Sequence, residues 1–368
     1  MRVRPTSDAP LTLNDVARHA GVSPMTVSNV INGKAGVRPA TKARVLAAIE
    51  ATGYRVNQVA RALAGGRSRM LSVFTPQLNR PYATEVVQGA AQAADELHYD
   101  LVVMMLAGPD AAGSPAPTLS VVTRLAVGAL LIQPSRGGRW EDADLPDHIV
   151  SVDGPGPHQL NADNYGGACL ATAHLLSLGH TRIGFISGQE AEGQLKAASS
   201  PEATADDPTN HDRDDDAQRL RGYRESLAAA GLNVPEGYMQ HGDYSKASGE
   251  RAARALLNLP NPPTAIFVAG DAMALGAIHV AQDMGLAVPR DLSVVGFDDL
   301  PIAGAARPGL TTVRQPLALM GEVGVRQLVA LAEGQPVPPT PPFVTELIVR
   351  ESTAAPRVEG SKKGRSKG

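Results

Sequence analysis

One cysteine, Cys169, is all that the 368 residues carry. A single thiol excludes a disulfide framework and a multi-cysteine zinc site. No run of about 18 apolar residues occurs, so no segment has the length to cross a membrane as a helix. The first residues, MRVRPTSDAP, lack the apolar centre of a secretory signal, and the expected location is the cytoplasm. Net charge is scarce as well: 34 Lys+Arg against 37 Asp+Glu leave −3. That excludes a uniformly basic nucleic-acid binder and a strongly acidic unfolded chain. What is there is a globular composition, 43% hydrophobic, in a chain long enough for two or three domains.

The small total hides a partition. Residues 1–70 carry +8, residues 71–356 carry −15 and the tail 357–368 carries +4. A basic head on an acidic body suggests two tasks, with the head a candidate for phosphate contact.

The head reads as three short helices. Asn14 is placed to cap the first, and Leu13, Val16, Ala17 and Ala20 recur with helical spacing on one face. Gly21 suits the left-handed turn that ends it. Ser23 before Pro24 reads as an N-cap followed by Pro at the first helical position. The second helix covers about Pro24 to Asn32, with Val27, Val30 and Ile31 inward. Arg38-Pro39 opens the third, with Val45, Leu46 and Ile49 inward and Gly53 as its stop. Two short helices joined by a tight Gly turn form a helix-turn-helix. Its second helix presents N-terminal residues to base edges in the major groove, here Pro24, Met25, Thr26, Ser28 and Asn29. Asn pairs with adenine, and Met or a Thr methyl touches the thymine methyl. A three-helix bundle for protein contacts is the alternative; the basic charge and the small polar groups weigh toward DNA.

These residues carry a resemblance. The stretch from Thr12 to Ser68 resembles the DNA-binding head of the lactose-repressor (LacI) family. The shared elements are D-V-A at 15–17, A-G-V-S at 20–23, T-V-S at 26–28, V-I-N at 30–32, G-Y at 53–54 and N-x-x-A-R-x-L at 57–63. The resemblance implies DNA contacts at Thr12, Ser23, Pro24, Met25, Thr26, Ser28, Asn29, Asn32, Arg38 and Tyr54. Asn29 stands where the family commonly has Arg, which shifts base preference from guanine toward adenine. Val56 stands where it commonly has Pro. The segment 57–64 is too short for a stable isolated helix and is expected to order when docked. By resemblance it is a hinge helix that pairs with its dimer mate in the minor groove, with Leu63 as a wedge between base pairs and Asn57 and Arg61 nearby. A plain linker with one buried Leu is the alternative.

From Met70 onward, short β-rich runs alternate with amphipathic helices. The strands expected are 71–74, 101–105, 129–132, 149–152, 182–186, 264–268, 292–297 and 343–349. The helices fall near 83–97, 166–178, 217–231, 247–257, 271–285 and 316–333. Strand–helix alternation implies parallel sheets covered on both faces, here in two lobes. The fold expected is thus a small all-α helix-turn-helix head on an α/β domain of two doubly wound parallel-sheet lobes. Its boundaries are 1–56 for the head, 57–70 for hinge and linker, 71–356 for the two-lobed domain and 357–368 for a disordered basic tail. Ligands of such folds sit beyond the carboxyl ends of strands. An aromatic, an Arg and carboxylates there suit a polyhydroxylated ligand.

The body also resembles the family's effector domain, itself similar to periplasmic sugar-binding proteins. The motifs are L-N-R-P-Y at 78–82, A-D-N-Y-G-G at 162–167, L-G-H-T-R-I-G-F-I-S-G at 178–188, R-L-R-G-Y at 219–223, D-A-M-A-L-G at 271–276, V-V-G-F-D-D at 294–299 and L-T-T-V-R-Q-P at 310–316. Carried over by position, Asp153, Arg219 and Asp298 lead as effector contacts, followed by Tyr82, Asn161 and Asp271; an N-cap is the competing role for Asp271. Gly270 departs from the family's usual Asn. The polar stretch 189–217 is longer than the family's loop and reads as a mobile acidic insertion. Its Asp212, Asp214 and Asp216 fail a calcium loop, because Ala217 stands where Gly is needed and Tyr223 where Glu belongs. No nucleophile elbow, phosphate loop or zinc-hydrolase pattern occurs, so no enzyme, metal or cofactor is expected.

The resemblance implies a cytoplasmic, sequence-specific transcriptional regulator. In that reading it is a repressor, binding double-stranded operator DNA as a homodimer or higher oligomer. A sugar or sugar phosphate would change its operator affinity. A purine-type co-repressor system and a sugar-binding protein without regulatory role are the alternatives.

Overall fold

The computed structural model describes residues 12–31, 36–54, 68–75, 78, 80–105, 125–133, 148–154, 156–188 and 215–357. The readings placed on Asn32, on the helix 57–64 with Asn57, Arg61 and Leu63, on 189–214 and on 358–368 lie outside them. The chain divides after Ser68 into two compact units.

In the first unit α1 spans Leu13–Ala20, α2 Pro24–Ile31 and α3 Pro39–Thr52. Thr12, rather than the expected Asn14, caps α1. The Thr12 N–H and hydroxyl both donate to the Asp15 carboxylate, at 2.9 and 2.7 Å. That reciprocal box needs the acid three residues after the cap, which only Thr12 satisfies. Gly21 follows α1 at φ 63°, where a side chain would be strained. Ser23 Oγ accepts the Thr26 N–H at 3.2 Å and starts α2 as expected. Val16, Val27 and Val45 meet at the centre, all without solvent exposure. Leu46, expected inward, is exposed. With Val45, Ala48 and Ile49 facing the core, the helical turn carries Leu46 onto the flank.

The second unit holds two sheets. The first lobe contains β1 (Met70–Thr75), α4 (Pro81–Glu96), β2 (Asp100–Met105), β3 (Ala126–Ile132), β4 (Ile149–Val152) and β5 (His158–Leu160). Its strands lie parallel in the order β2-β1-β3-β4-β5. The second lobe contains α5 (Asn164–Ser177), β6 (Ile183–Ser187), α6 (Asp215–Ala229), β7 (Met239–His241), α7 (Lys246–Leu257), β8 (Ala265–Val268), α8 (Asp271–Asp283), β9 (Ser293–Asp298), α9 (Pro301–Ala305) and β10 (Thr311–Arg314). After α10 (Leu317–Ala332) comes β11 (Glu346–Ile348), giving the sheet order β11-β10-β9-β8-β6-β7. Two doubly wound lobes are as the alternation predicts. Three strands, β5, β7 and β10, and the short α9 are additions. The expected strand 343–349 narrows to β11, which runs antiparallel to β10.

Each lobe has its own core. In the second lobe Phe185 stacks on Tyr223, with ring centroids 5.1 Å apart, and meets Phe267 edge-on at 5.3 Å. The first lobe packs Leu71, Val73, Leu130 and Val150 with Val86 and Ala90 of α4. It also takes Met320, Val325 and Leu328 from α10, which comes from the far end of the sequence. The chain therefore crosses between lobes at 161–163, at 315–316 and at 333–345. The first and third crossings are joined: Phe343 N–H donates to Asn161 O at 2.9 Å, and Asp163 N–H to Phe343 O at 2.8 Å.

The seating of α10 depends on two glycines. A Cβ at Gly89 would lie 1.8 Å from the Ala318 carbonyl oxygen, and one at Gly321 1.9 Å from that of Val86. The two backbones touch, so neither side yields by rotating a side chain. Gly321→Ala is therefore expected to destabilise the fold by about 1–3 kcal/mol, the usual cost of overpacking. Urea denaturation of the variant reads this directly; an unchanged midpoint would mean that the helices part without penalty.

Candidate nucleic-acid interface and ligand cleft

The first unit presents α2 with two distinct faces. Val27 and Val30 are buried, while Met25 is exposed and Ser28 and Asn29 are half-buried. Met25, Ser28 and Asn29 fall at i, i+3 and i+4, so one stripe carries an apolar tip and two polar groups. Ser23 and Pro24 are exposed at the start of the helix. The Thr26 hydroxyl is engaged by Ser23 Oγ at 2.9 Å. Thr12 holds Asp15, and its hydroxyl and backbone bonds keep that carboxyl below the usual range. Arg38 is the exposed residue before α3, and Tyr54 packs on the head core. Such a helix end, lined with small polar groups and flanked by basic residues, has the chemistry to meet base edges and phosphates.

In the second unit a cleft of about 430 Å³, its open mouth included, lies between the lobes. Arg80, Tyr82 and Gln133 line it from the first lobe, and Arg219, Tyr244, Gly270, Asp271 and Asp298 from the second. Arg219 is 2% exposed and belongs to α6. Its Nε donates to Asn164 Oδ1 at 2.8 Å and its Nη1 to the Ala269 carbonyl at 2.5 Å. Its guanidinium carbon lies 4.0 Å from the Phe297 ring centroid, and its Nη2 is 4.0 Å from Asp298 Oδ1. Burial alone would lower its pKa; Tyr244 and the carboxylates of Asp298, Asp215 and Asp216 outweigh that and raise it.

Asp298 ends β9. Burial pushes its carboxyl up to about 7, against the pull of Arg219 and the Gln315 amide, which donates to Oδ1 at 2.7 Å. The adjoining Asp299 binds Arg314 Nε at 2.8 Å and Arg350 Nη2 at 2.6 Å. Asp298 and Asp299 both hold positive φ, 109° and 53°. Non-glycine residues seldom stay there unless their surroundings hold them, and these bonds do so.

The other sequence-derived candidates divide. Asp153 follows β4 at φ 48° and accepts a hydrogen bond from the Tyr82 hydroxyl. Burial raises its pKa, opposed by that bond and by Arg219. Asp271 is the first residue of α8, after Gly270, so it is not the N-cap. Its two oxygens accept from the Leu300 N–H at 2.7 Å and the Thr312 hydroxyl at 2.5 Å. Although it lines the cleft, it is committed to tying α8 to β10 and to the turn after β9. A Cβ at Gly296 would come within 2.3 Å of it, so that glycine makes its room. Asn161 sits at the first crossing, where its carbonyl pairs with Phe343, and does not line the cleft. Tyr82, Arg219, Asp271 and Asp298 thus line the cleft, Asp153 is joined to it through the Tyr82 hydroxyl, and Asn161 stands aside.

Four residues were not anticipated: Arg80, Gln133, Asn164 and Tyr244. Gln133 directly follows β3, at the carboxyl end of a strand like Asp153. Tyr244 lies beyond β7, a strand too short to read. Arg80 was visible only inside the motif 78–82. Asn164 positions Arg219, and its Nδ2 donates to Asp215 Oδ1 at 3.0 Å. Because Arg219 neutralises buried carboxylates, Arg219→Ala is expected to cost about 3–5 kcal/mol of stability rather than to silence a site cleanly. Calorimetry would show the loss, and Arg219→Ala combined with Asp298→Asn should regain part of it; no regain would separate the two groups energetically.

Among the described residues no helix is long and apolar enough to cross a membrane. Residues 12–57 match the family of bacterial regulatory proteins named for lacI, and residues 172–353 match a periplasmic binding protein-like domain. Catabolite control protein A of Priestia megaterium is 34% identical over 326 residues, covering 86% of this chain and 91% of that protein. The ribose operon repressor of Escherichia coli K12 is 33% identical over 326 residues, covering 86% and 92%. The lac repressor dimer bound to operator and the anti-inducer ONPF superposes with a TM-score of 0.76 at 28% identity, covering 94% of this chain and all of that one. The complex of the transcriptional regulator CelR with cellobiose gives a TM-score of 0.65 at 31% identity, covering 93% and 99%. With the helix-turn-helix head, the two-lobed domain and relatives matched over nearly their whole length, this chain belongs to the LacI family of bacterial transcriptional regulators.

Proposed function

We propose that this regulator is a repressor that holds a near-palindromic operator as a homodimer and releases it when a sugar or sugar phosphate enters the cleft. The observation that carries the effector half is the Arg219–Asp298 pair, buried and facing a cleft that also holds Tyr82 and Tyr244. A guanidinium and a carboxylate side by side bond a vicinal diol in complementary senses, one donating and one accepting. Aromatic faces cover the C–H side of a sugar ring. Relatives point the same way: one is named for the ribose operon, and one is solved with cellobiose. The dimeric state is supported by the lac repressor dimer on its operator.

For the head, α2 enters the major groove with Met25, Ser28 and Asn29 at base edges. Thr12, Ser23, Thr26, Arg38 and Tyr54 act on the backbone. Asn57, Arg61 and Leu63 form the hinge segment in the minor groove. Two heads related by a two-fold would read successive major grooves. A ligand bonded to both lobes changes the angle between them, and through it the geometry in which the heads are offered to DNA. The coupling required is modest, about 1–3 kcal/mol, and is reciprocal between ligand and operator.

Operator retention of the purified protein, with and without a panel of sugars, sugar phosphates and nucleobases, tests this. A sugar or sugar phosphate should weaken retention by about 5–150-fold. A nucleobase that tightens retention while no sugar acts would establish co-repression instead. For the hinge, Leu63→Ala should weaken specific binding and leave salt-sensitive nonspecific binding nearly intact. Equal loss of both would refute the wedge.

A further inference from the structure

Arg80 immediately precedes α4 and belongs to the first lobe. Tyr244 lies in the turn between β7 and α7, with its ring packed on the core of the second. Arg80 Nη2 donates to the Asp243 carbonyl at 3.2 Å, and its guanidinium carbon lies 5.7 Å from the Tyr244 ring centroid. Both contacts join one lobe to the other across the cleft.

The seat of the ring is built by two missing side chains. A Cβ at Gly188 would lie 1.9 Å from Tyr244 Cζ, and one at Gly270 3.1 Å from Cδ1. Gly270 is thus part of the room for the ring. The turn itself is braced. Tyr244 holds φ 62°. Asp243 N–H donates to Ser248 Oγ at 3.0 Å, and Ser245 N–H donates to Asp243 Oδ1 at 2.8 Å. A positive φ at a bulky residue persists only when such contacts fix it.

We propose that Arg80 and Tyr244 form a latch across the cleft that holds the lobes together without ligand and limits the site to one sugar ring. The size limit rests on the reading of the cleft as the effector site. Arg80 and Tyr244 line the cleft from opposite sides and meet across it, so the two together close the cleft on that side. A second ring would have to extend where the guanidinium meets the ring of Tyr244. A single ring needs no such displacement.

The test has two arms on the full-length protein. In the ligand-free arm, hydrogen exchange is compared between wild type, Arg80→Ala and Arg80→Lys. Amides of residues 241–249 should exchange about three- to tenfold faster in Arg80→Ala, the scale of one hydrogen bond and one cation–π contact. Arg80→Lys should fall between. Unchanged exchange in Arg80→Ala overturns the latch. In the second arm, calorimetry with ribose, galactose, glucose, cellobiose and maltose reads the size limit. Wild type should bind a monosaccharide and neither disaccharide, and Arg80→Ala should gain disaccharide binding. Disaccharide binding by wild type overturns the limit. Binding of none of the five, nor of ribose 5-phosphate or glucose 6-phosphate, overturns the limit together with the sugar reading, while the exchange result still decides the latch.

Discussion

The two-lobed domain turns on one buried cation. Arg219 has almost no water contact and is held by an amide oxygen, a main-chain carbonyl, an aromatic face and a nearby carboxylate. Removing a charge from water is costly, and only a full set of partners offsets it. That requirement dictates its neighbours. Asn164 starts α5, Ala269 follows β8 just before α8, and Phe297 and Asp298 end β9. Four separate segments must arrive together for the guanidinium to be satisfied. A site built this way has its polar groups aimed before any ligand comes, which lowers the ordering cost of binding.

The same strand end is bonded to the boundary between the lobes. Asp298 faces the cleft, while Asp299 next to it grips Arg314 at the end of β10 and Arg350 beyond β11. Gln315, at the second crossing, donates to Asp298. Asp298 is therefore bonded directly to a residue at the boundary between the lobes. The tight seating of α10 on α4, backbone against backbone at Gly89 and Gly321, leaves these two helices of the first lobe no slack between them.

Much of this was legible in the sequence, for identifiable reasons. The helices were marked by apolar spacing and by glycine stops, and Gly179, Gly231, Gly285 and Gly334 all follow their helices at positive φ. Strands buried on both faces announced themselves as β-rich runs. The strands that escaped were β5 and β7, three residues each at sheet edges, with His158, Gln159, Gln240 and His241 among them. Edge strands need no continuous apolar run, so their composition is silent. β10 escaped because Thr311 and Thr312 read as polar, although both are buried and bonded inside. Around the cleft, Arg219 and Asp298, and Asp153 beside Tyr82, were found because they follow strands or match a motif. Asp271 met those criteria too, yet its oxygens serve the framework. A carboxylate's partners depend on tertiary neighbours such as Thr312 and Leu300, which no local pattern records. Leu46 taught the same lesson in the head: one step of helical rotation decides between core and surface.

The three crossings also set an order of events during synthesis. The first lobe's strands lie within residues 70–160, yet part of its core comes from Met320, Val325 and Leu328. A ribosome adding about 5–20 residues per second therefore leaves that apolar face uncovered for on the order of ten seconds or more after β5 has emerged. The second lobe lies between, and its edge strand β11 comes after α10. Neither lobe closes before nearly the whole chain is made. The DNA-reading head, complete by residue 54, has no such wait. In the growing cell the part that grips DNA is finished first, and the part that regulates it is finished last.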